Sequence, residues 1–161
     1  MFETIVWGSD GSSDADRALP CAEHVAELFG SSLRVVHVAR RPAGGPRVVC
    51  DDEDEVLAKL RGQAQALRGR GIDASLHVIR GAHGSPAKAI ADTARLVGAD
   101  LVIVGTRGRS PAACALPGSV AQQLLHACPV LAVPPAVAPA GEPVRAGGFG
   151  SGLCAGLAPS P

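Results

Sequence analysis

Three observations predict an α/β fold with a mostly parallel sheet. First, five short apolar runs alternate with segments of helical period along the chain. That alternation is the signature of repeated βαβ units. Second, Leu101-Val102-Ile103-Val104 is apolar without a break. Such a run suits a strand covered on both faces. Third, glycine turns follow two of the strands, at Gly8-Ser9-Asp10 and at Gly105 to Arg109. In open α/β sheets the carboxyl ends of the strands are where ligands bind.

The elements follow in order. Glu3 to Trp7 is the expected first strand, with Ile5-Val6-Trp7 at its centre. Ser12 or Ser13 caps the first helix, whose stripe is Ala18, Leu19, Ala22, Val25, Ala26 and Phe29, and Gly30 ends it. Pro20 removes one hydrogen bond inside that helix and predicts a kink. Leu33 to Val38 is the second strand, followed by a Pro- and Gly-rich loop to Cys50. The acidic run Asp51 to Glu55 reads as a helix start that balances the macrodipole rather than as a metal site. Val56, Leu57, Leu60, Ala64 and Leu67 form the stripe of this second helix. In the third strand Ile72, Ala74, Leu76 and Val78 alternate with Asp73, Ser75, His77 and Ile79, so one face is mostly polar and an edge position is expected. Ser85 caps and Pro86 opens the third helix, with Ile90, Ala91, Ala94 and Val97 inward and Gly98 closing it. After the central strand, Val120 to Ala127 reads as the fourth helix and Val130 to Val133 as the fifth strand.

The stretch with most chemistry is LVIVGTRGRSPAACALPGSV, Leu101 to Val120. Gly105 and Gly108 are followed by Gly118-Ser119, and a helical pattern begins at once. Glycines let backbone N–H groups approach an anion closely, and a helix N-terminus adds free donors and a partial positive charge. Arg107 and Arg109 add two cations to the loop. A hydrogen bond to a charged group contributes about 1.5–3 kcal/mol. Four or five, less the cost of association, leave room for micromolar binding, which needs about 8 kcal/mol. Pro117 supplies no N–H and holds Leu116 extended, which tightens the loop.

Composition narrows the function. The chain of 161 residues suits one domain with a sizeable core, here residues 1–134. From 135 to 161 Pro, Gly and Ala dominate without a period, which predicts a disordered tail. Fifteen basic residues balance fifteen acidic ones, so no basic field steers the chain to nucleic acid or an anionic membrane. Tyr is absent and aromatics are 2%, which argues against stacking platforms for single strands. No stretch has transmembrane length, and MFETIVWGSDGS lacks the basic flank of a signal peptide, so a cytoplasmic protein is expected. Five cysteines without C-x-x-C argue against a disulfide framework or zinc; Cys114 alone lies inside the glycine-loop spacer. The five histidines show no metal spacing, and His83 is the one in a loop near the proposed site.

The residues from Ile5 to Pro134 resemble the universal stress protein family of the nucleotide-binding kind. IVWGSDGS resembles the family's first strand and aspartate turn, LRVVHV its second strand, and GSPAKAI its third helix start. GADLVIVGTRGRS with PGSV resembles its nucleotide signature, G-x2-G-x9-G-S, and CPVLAVP its closing strand. The resemblance implies a Rossmann-like three-layer sandwich, a five-stranded parallel sheet of order 3-2-1-4-5 with four helices; the order is not readable from the alternation itself. It implies ATP in the switch-point cleft, with Gly8, Ser9 and Asp10 beside the adenosine and backbone at Val38 or Ala39 facing the adenine edge. It places Gly105, Thr106, Arg107, Gly108 and Arg109 under the ribose and phosphates. It makes Gly118, Ser119 and Val120 N–H donors to the phosphates. A magnesium ion can shield the triphosphate, although the glycine loop offers no carboxylate for it. The resemblance also implies a homodimer joined through the fifth strand, Val130 to Val133. That strand is apolar on both faces yet closes the sheet, which independently invites pairing with another copy.

The expected function is therefore an ATP-binding stress-response module with little or no turnover, at most slow ATP hydrolysis. No G-K-S/T loop is present. A nucleotide-independent dimeric scaffold that binds a protein through its surface or tail is the alternative. An adenylate-transferring enzyme fits less well, because GSDGSS lacks the paired glycines of an S-G-G-x-D-S loop.

Overall fold

The computed structural model describes residues 1–39, 51–81, 85–108 and 119–135, with the side chains of residues 51, 52 and 119 excepted. The expectations for Arg109, Gly118, Pro117, Cys50, Cys114, Cys154, His83 and the tail beyond 135 lie outside these residues. In order the elements are β1 (Thr4–Gly8), α1 (Ser13–Phe29), β2 (Ser32–Val38), α2 (Asp51–Gly69), β3 (Ala74–Ile79), α3 (Pro86–Leu96), β4 (Leu101–Gly105), α4 (Ser119–Leu125) and β5 (Val130–Val133). The five strands form one sheet of order β3-β2-β1-β4-β5, and every pairing is parallel. Chain order reverses beside β1, so β1 and β4 are neighbours, with Ile5 opposite both Leu33 and Leu101. The expected edge positions of β3 and β5 hold.

Two cores flank the sheet. Alternate strand residues Ile5, Trp7, Leu33, Val35 and Ile103 meet α1 (Ala18, Ala22, Ala26) and α2 (Val56, Leu60, Ala64, Leu67). On the other face Val6, Val36, Val102 and Val104 meet α3 (Ala87, Ile90, Ala91, Ala94) and α4 (Ala121, Leu124). The small residues of α1 and α3 let the helices lie close on β-branched strand residues. Fully burying one Val, Leu or Ile contributes roughly 1.5–3 kcal/mol, and this drives the three-layer arrangement.

Local signals explain the boundaries. Ser12 is the N-cap of α1, its Oγ accepting from Ala15 N at 3.2 Å, and Gly30 closes the helix in the left-handed region at φ 67°. Ser85 caps α3 with Pro86 at its first turn, Oγ accepting from Lys88 N at 3.2 Å. Pro20 lies inside α1, which runs unbroken through it. Pro20 itself is exposed. Phe29 is less buried than its stripe position predicts; it packs edge-on against Phe2, ring centroids 5.2 Å apart. β1, β2, β3 and α4 each differ from expectation by one or two residues at their ends.

Candidate functional site

The site is the mouth formed where β1 and β4 end side by side. On the β1 side Ser9 is held three ways. Its N–H donates to Val36 O at 3.0 Å, extending the β1–β2 ladder by one residue. Its hydroxyl accepts from Gly11 N at 3.2 Å, and its carbonyl lies 2.8 Å from His37 Nδ1. Ser9 is 5% exposed, so its side chain is built into the turn. Asp10 Oδ1 accepts from Ser12 N at 3.0 Å, which fixes the carboxyl over the start of α1. Gly11 takes φ 77°, and a Cβ there would meet Val56 Cγ1 at 2.7 Å. Only glycine satisfies both demands, so α2 packs directly on the turn.

On the β4 side two glycines do different work. A Cβ on Gly105 would lie 2.7 Å from the backbone oxygen of Asp14, so the end of β4 presses against the first turn of α1. A Cβ on Gly108 would lie 2.9 Å from Asp10 Oδ2. The turn after β4 therefore runs alongside the aspartate of the turn after β1. The sequence-predicted residues Asp10 and Gly108, 98 positions apart, are brought together.

The other predicted residues sort by what their backbone already does. Ala39 N donates to Ile79 O at 2.9 Å and Thr106 N to Val133 O at 2.9 Å. With Ser9 N, these amides are committed to neighbouring strands and frame the mouth. Gly8 is fully enclosed: a Cβ would meet Val104 Cγ1 at 2.9 Å and Ile90 Cδ1 at 3.3 Å. Val38 and Val120 are half-buried against the α3/α4 core. Arg107 and Gly108 are exposed at the mouth. Ser119 is the first residue of α4.

Sequence reasoning missed the support behind this mouth. His37, 2% exposed, reaches Ser9 O with Nδ1 and Glu53 Oε1 with Nε2, both at 2.8 Å. Lys59 Nζ donates to Gly11 O at 3.0 Å and bridges to Asp16, which also accepts from Gln63 Nε2 at 3.0 Å. Glu53, Val56, Lys59 and Gln63 recur every third or fourth position of α2, so one helix face grips the β1–α1 turn. The signal available beforehand was His37, a polar residue near the end of a mostly apolar strand. Its partner sits on another element at a separation no local pattern encodes.

Shifted titrations lie away from the mouth. Asp100, at the opposite end of β1 and β4, accepts from Thr4 N at 3.1 Å and Glu3 N at 2.6 Å, and these bonds hold its carboxyl below the usual range. Burial pushes the Cys128 thiol up, against the pull of Arg95. Lys88, which donates to the Asp92 carboxylate at 2.6 Å, lowers its pKa, with help from Arg95. Among the described residues no group of three His, Cys, Asp or Glu side chains is placed to hold a metal ion, and no helix is long and apolar enough to cross a membrane.

Sheet order and the mouth at the β1/β4 reversal define a Rossmann-like α/β protein. Residues 1–134 match the model of the universal stress protein family, and the chain belongs to that family. It is 36% identical over 141 residues to the Thermus aquaticus protein called "Universal stress protein in QAH/OAS sulfhydrylase 3'region", covering 83% of this chain and 99% of that one. Two solved relatives carry nucleotides in their descriptions. A universal stress protein in complex with cAMP aligns with TM-score 0.63 and 28% identity, covering 82% of this chain and 97% of the other. The Archaeoglobus fulgidus protein in complex with dAMP aligns with TM-score 0.61 and 27% identity, again over 82% of this chain and 97% of the other.

Proposed function

We propose that this protein binds ATP in the mouth between the β1 and β4 turns and acts as a cytoplasmic, regulatory stress-response module with little or no turnover. The observation that carries the reading is the close approach of Gly108 to Asp10, which brings the two turns together at the reversal of strand order. The relatives described with cAMP and dAMP support the adenine part: both ligands share adenine, a sugar and a phosphate with ATP.

In this reading Asp10 and the backbone at Val38 and Ala39 lie along the adenosine. The Ala39 N–H is spent on Ile79, so a contact from Ala39 would come through its carbonyl. The loop from Gly105 through Arg109 runs under the phosphates, and the amides of Gly118, Ser119 and Val120 receive them. Magnesium would ride on the phosphates rather than on a protein carboxylate cluster. Two copies pair through β5, an edge strand whose Leu131 is 39% exposed.

Mass spectrometry of the protein purified under native conditions tests the proposal. The expected result is an added mass equal to ATP or another adenine nucleotide, absent from a Gly118→Glu variant. Protein that carries no adenine nucleotide and takes up none at millimolar ATP would remove the reading in favour of a nucleotide-independent scaffold.

A further inference from the structure

We infer that His37 and Glu53 are positioning residues that share one proton and thereby lock α2 onto the Ser9 carbonyl, fixing the shape of the Asp10 side of the mouth. A carbonyl oxygen only accepts, so the 2.8 Å contact from His37 Nδ1 to Ser9 O places a proton on Nδ1. Nε2 lies 2.8 Å from Glu53 Oε1, and two lone pairs do not meet at that distance without a proton between them. The ring's two protons therefore each face one acceptor, Ser9 O and Glu53 Oε1, and the net charge of the pair is zero. Neutrality is what permits a ring 2% exposed to sit there, since an unpaired buried charge is expensive.

His37 faces Val78 of β3 in register, which carries no charge. On the β1–α1 turn, Asp10 accepts from Ser12 N. On α1 and α2, Asp16 and Lys59 are engaged with each other. Asp54 and Glu55 are exposed on α2.

The consequence is mechanical. Ser9 is the residue from which the turn leaves the sheet, and every polar atom of it is engaged by Val36, Gly11 or His37. Of these only His37 connects the turn to a helix that is not its chain neighbour. Loosening Glu53 lets the first turn of α2 lift from the mouth while the sheet stays intact. The inference rests on the nucleotide reading for its effect on affinity, though the lock itself does not.

Three measurements on the full chain test it: ring ¹⁵N NMR of histidine, amide hydrogen exchange at residues 9–12, and ATP titration. Wild type is expected to show His37 protonated on both nitrogens. Glu53→Ala is expected to speed exchange at Gly11 and Ser12 and to weaken ATP about tenfold, while Glu53→Gln, whose amide donates to a neutral ring, keeps affinity within about twofold and strips the proton from Nε2. A bare Nδ1 in wild type, or Glu53→Ala with exchange and affinity both unchanged, overturns the inference. If wild type takes no ATP, the nucleotide reading fails, and the NMR and exchange arms still decide the lock.

Discussion

Trp7 sits one residue below the mouth, 0% exposed, with its indole N–H donating to Ala15 O at 3.2 Å. It ties the strand that ends in the β1 turn to the helix that begins there. Trp7→Phe removes that donor and leaves a gap in a packed core, so a loss of about 1–3 kcal/mol is expected. Urea unfolding followed by circular dichroism measures it; an unchanged midpoint would mean the bond contributes nothing. Asp100 works at the other end of the same strand pair. Its folded carboxyl is held low, first by Thr4 N and then by Glu3 N. A depressed carboxyl stabilises the fold above its unfolded pKa, and that contribution is lost as pH falls through the folded pKa. Asp100→Ala is therefore expected to lower Tm at neutral pH, with the gap to wild type closing in acid. A gap that widens in acid would reverse the assignment. At this scale Ser12, Ser85 and Pro86 were legible because capping is encoded within a few residues. His37 with Glu53 was not, since its meaning depends on which helix covers the end of β2.

At the scale of elements, chain reversal and helix covering decide what a strand end can do. The unbroken apolar run at 101–104 announced a central strand, and β4 lies between β1 and β5. The alternating third strand announced an edge. What alternation along the chain could not supply was the neighbour relation of β1 and β4, which came only with the family resemblance. The acidic start of α2 was read as a response to the macrodipole; Glu53 also answers a specific buried histidine. β5 has one neighbour, β4, and exposes Leu131. If the proposed dimer forms there, Leu131→Asp yields a monomer by light scattering while ATP affinity is kept. A dimer of unchanged strength would place the interface elsewhere.

Across the whole molecule, two apolar cores built from small helix residues and β-branched strands hold a rigid sheet, and both turns of interest hang from one end of it. The proposed chemistry needs no moving catalytic group. It needs amides and one carboxylate at a common mouth, and the close approaches of Gly105 to Asp14 and of Gly108 to Asp10 hold the two turns together there. Replacing Gly108 by glutamate puts a side chain and a negative charge where the phosphates are proposed to pass, at an exposed position that the cores do not depend on. Isothermal titration with ATP, run on wild type and Gly108→Glu, is the direct test. Wild type is expected to bind with a Kd of about micromolar, corresponding to roughly 8 kcal/mol, and the variant, whose new side chain also pushes the Asp10 carboxyl aside, is expected to lose binding while its circular dichroism spectrum stays that of the folded protein. Equal affinity in the two proteins would contradict it.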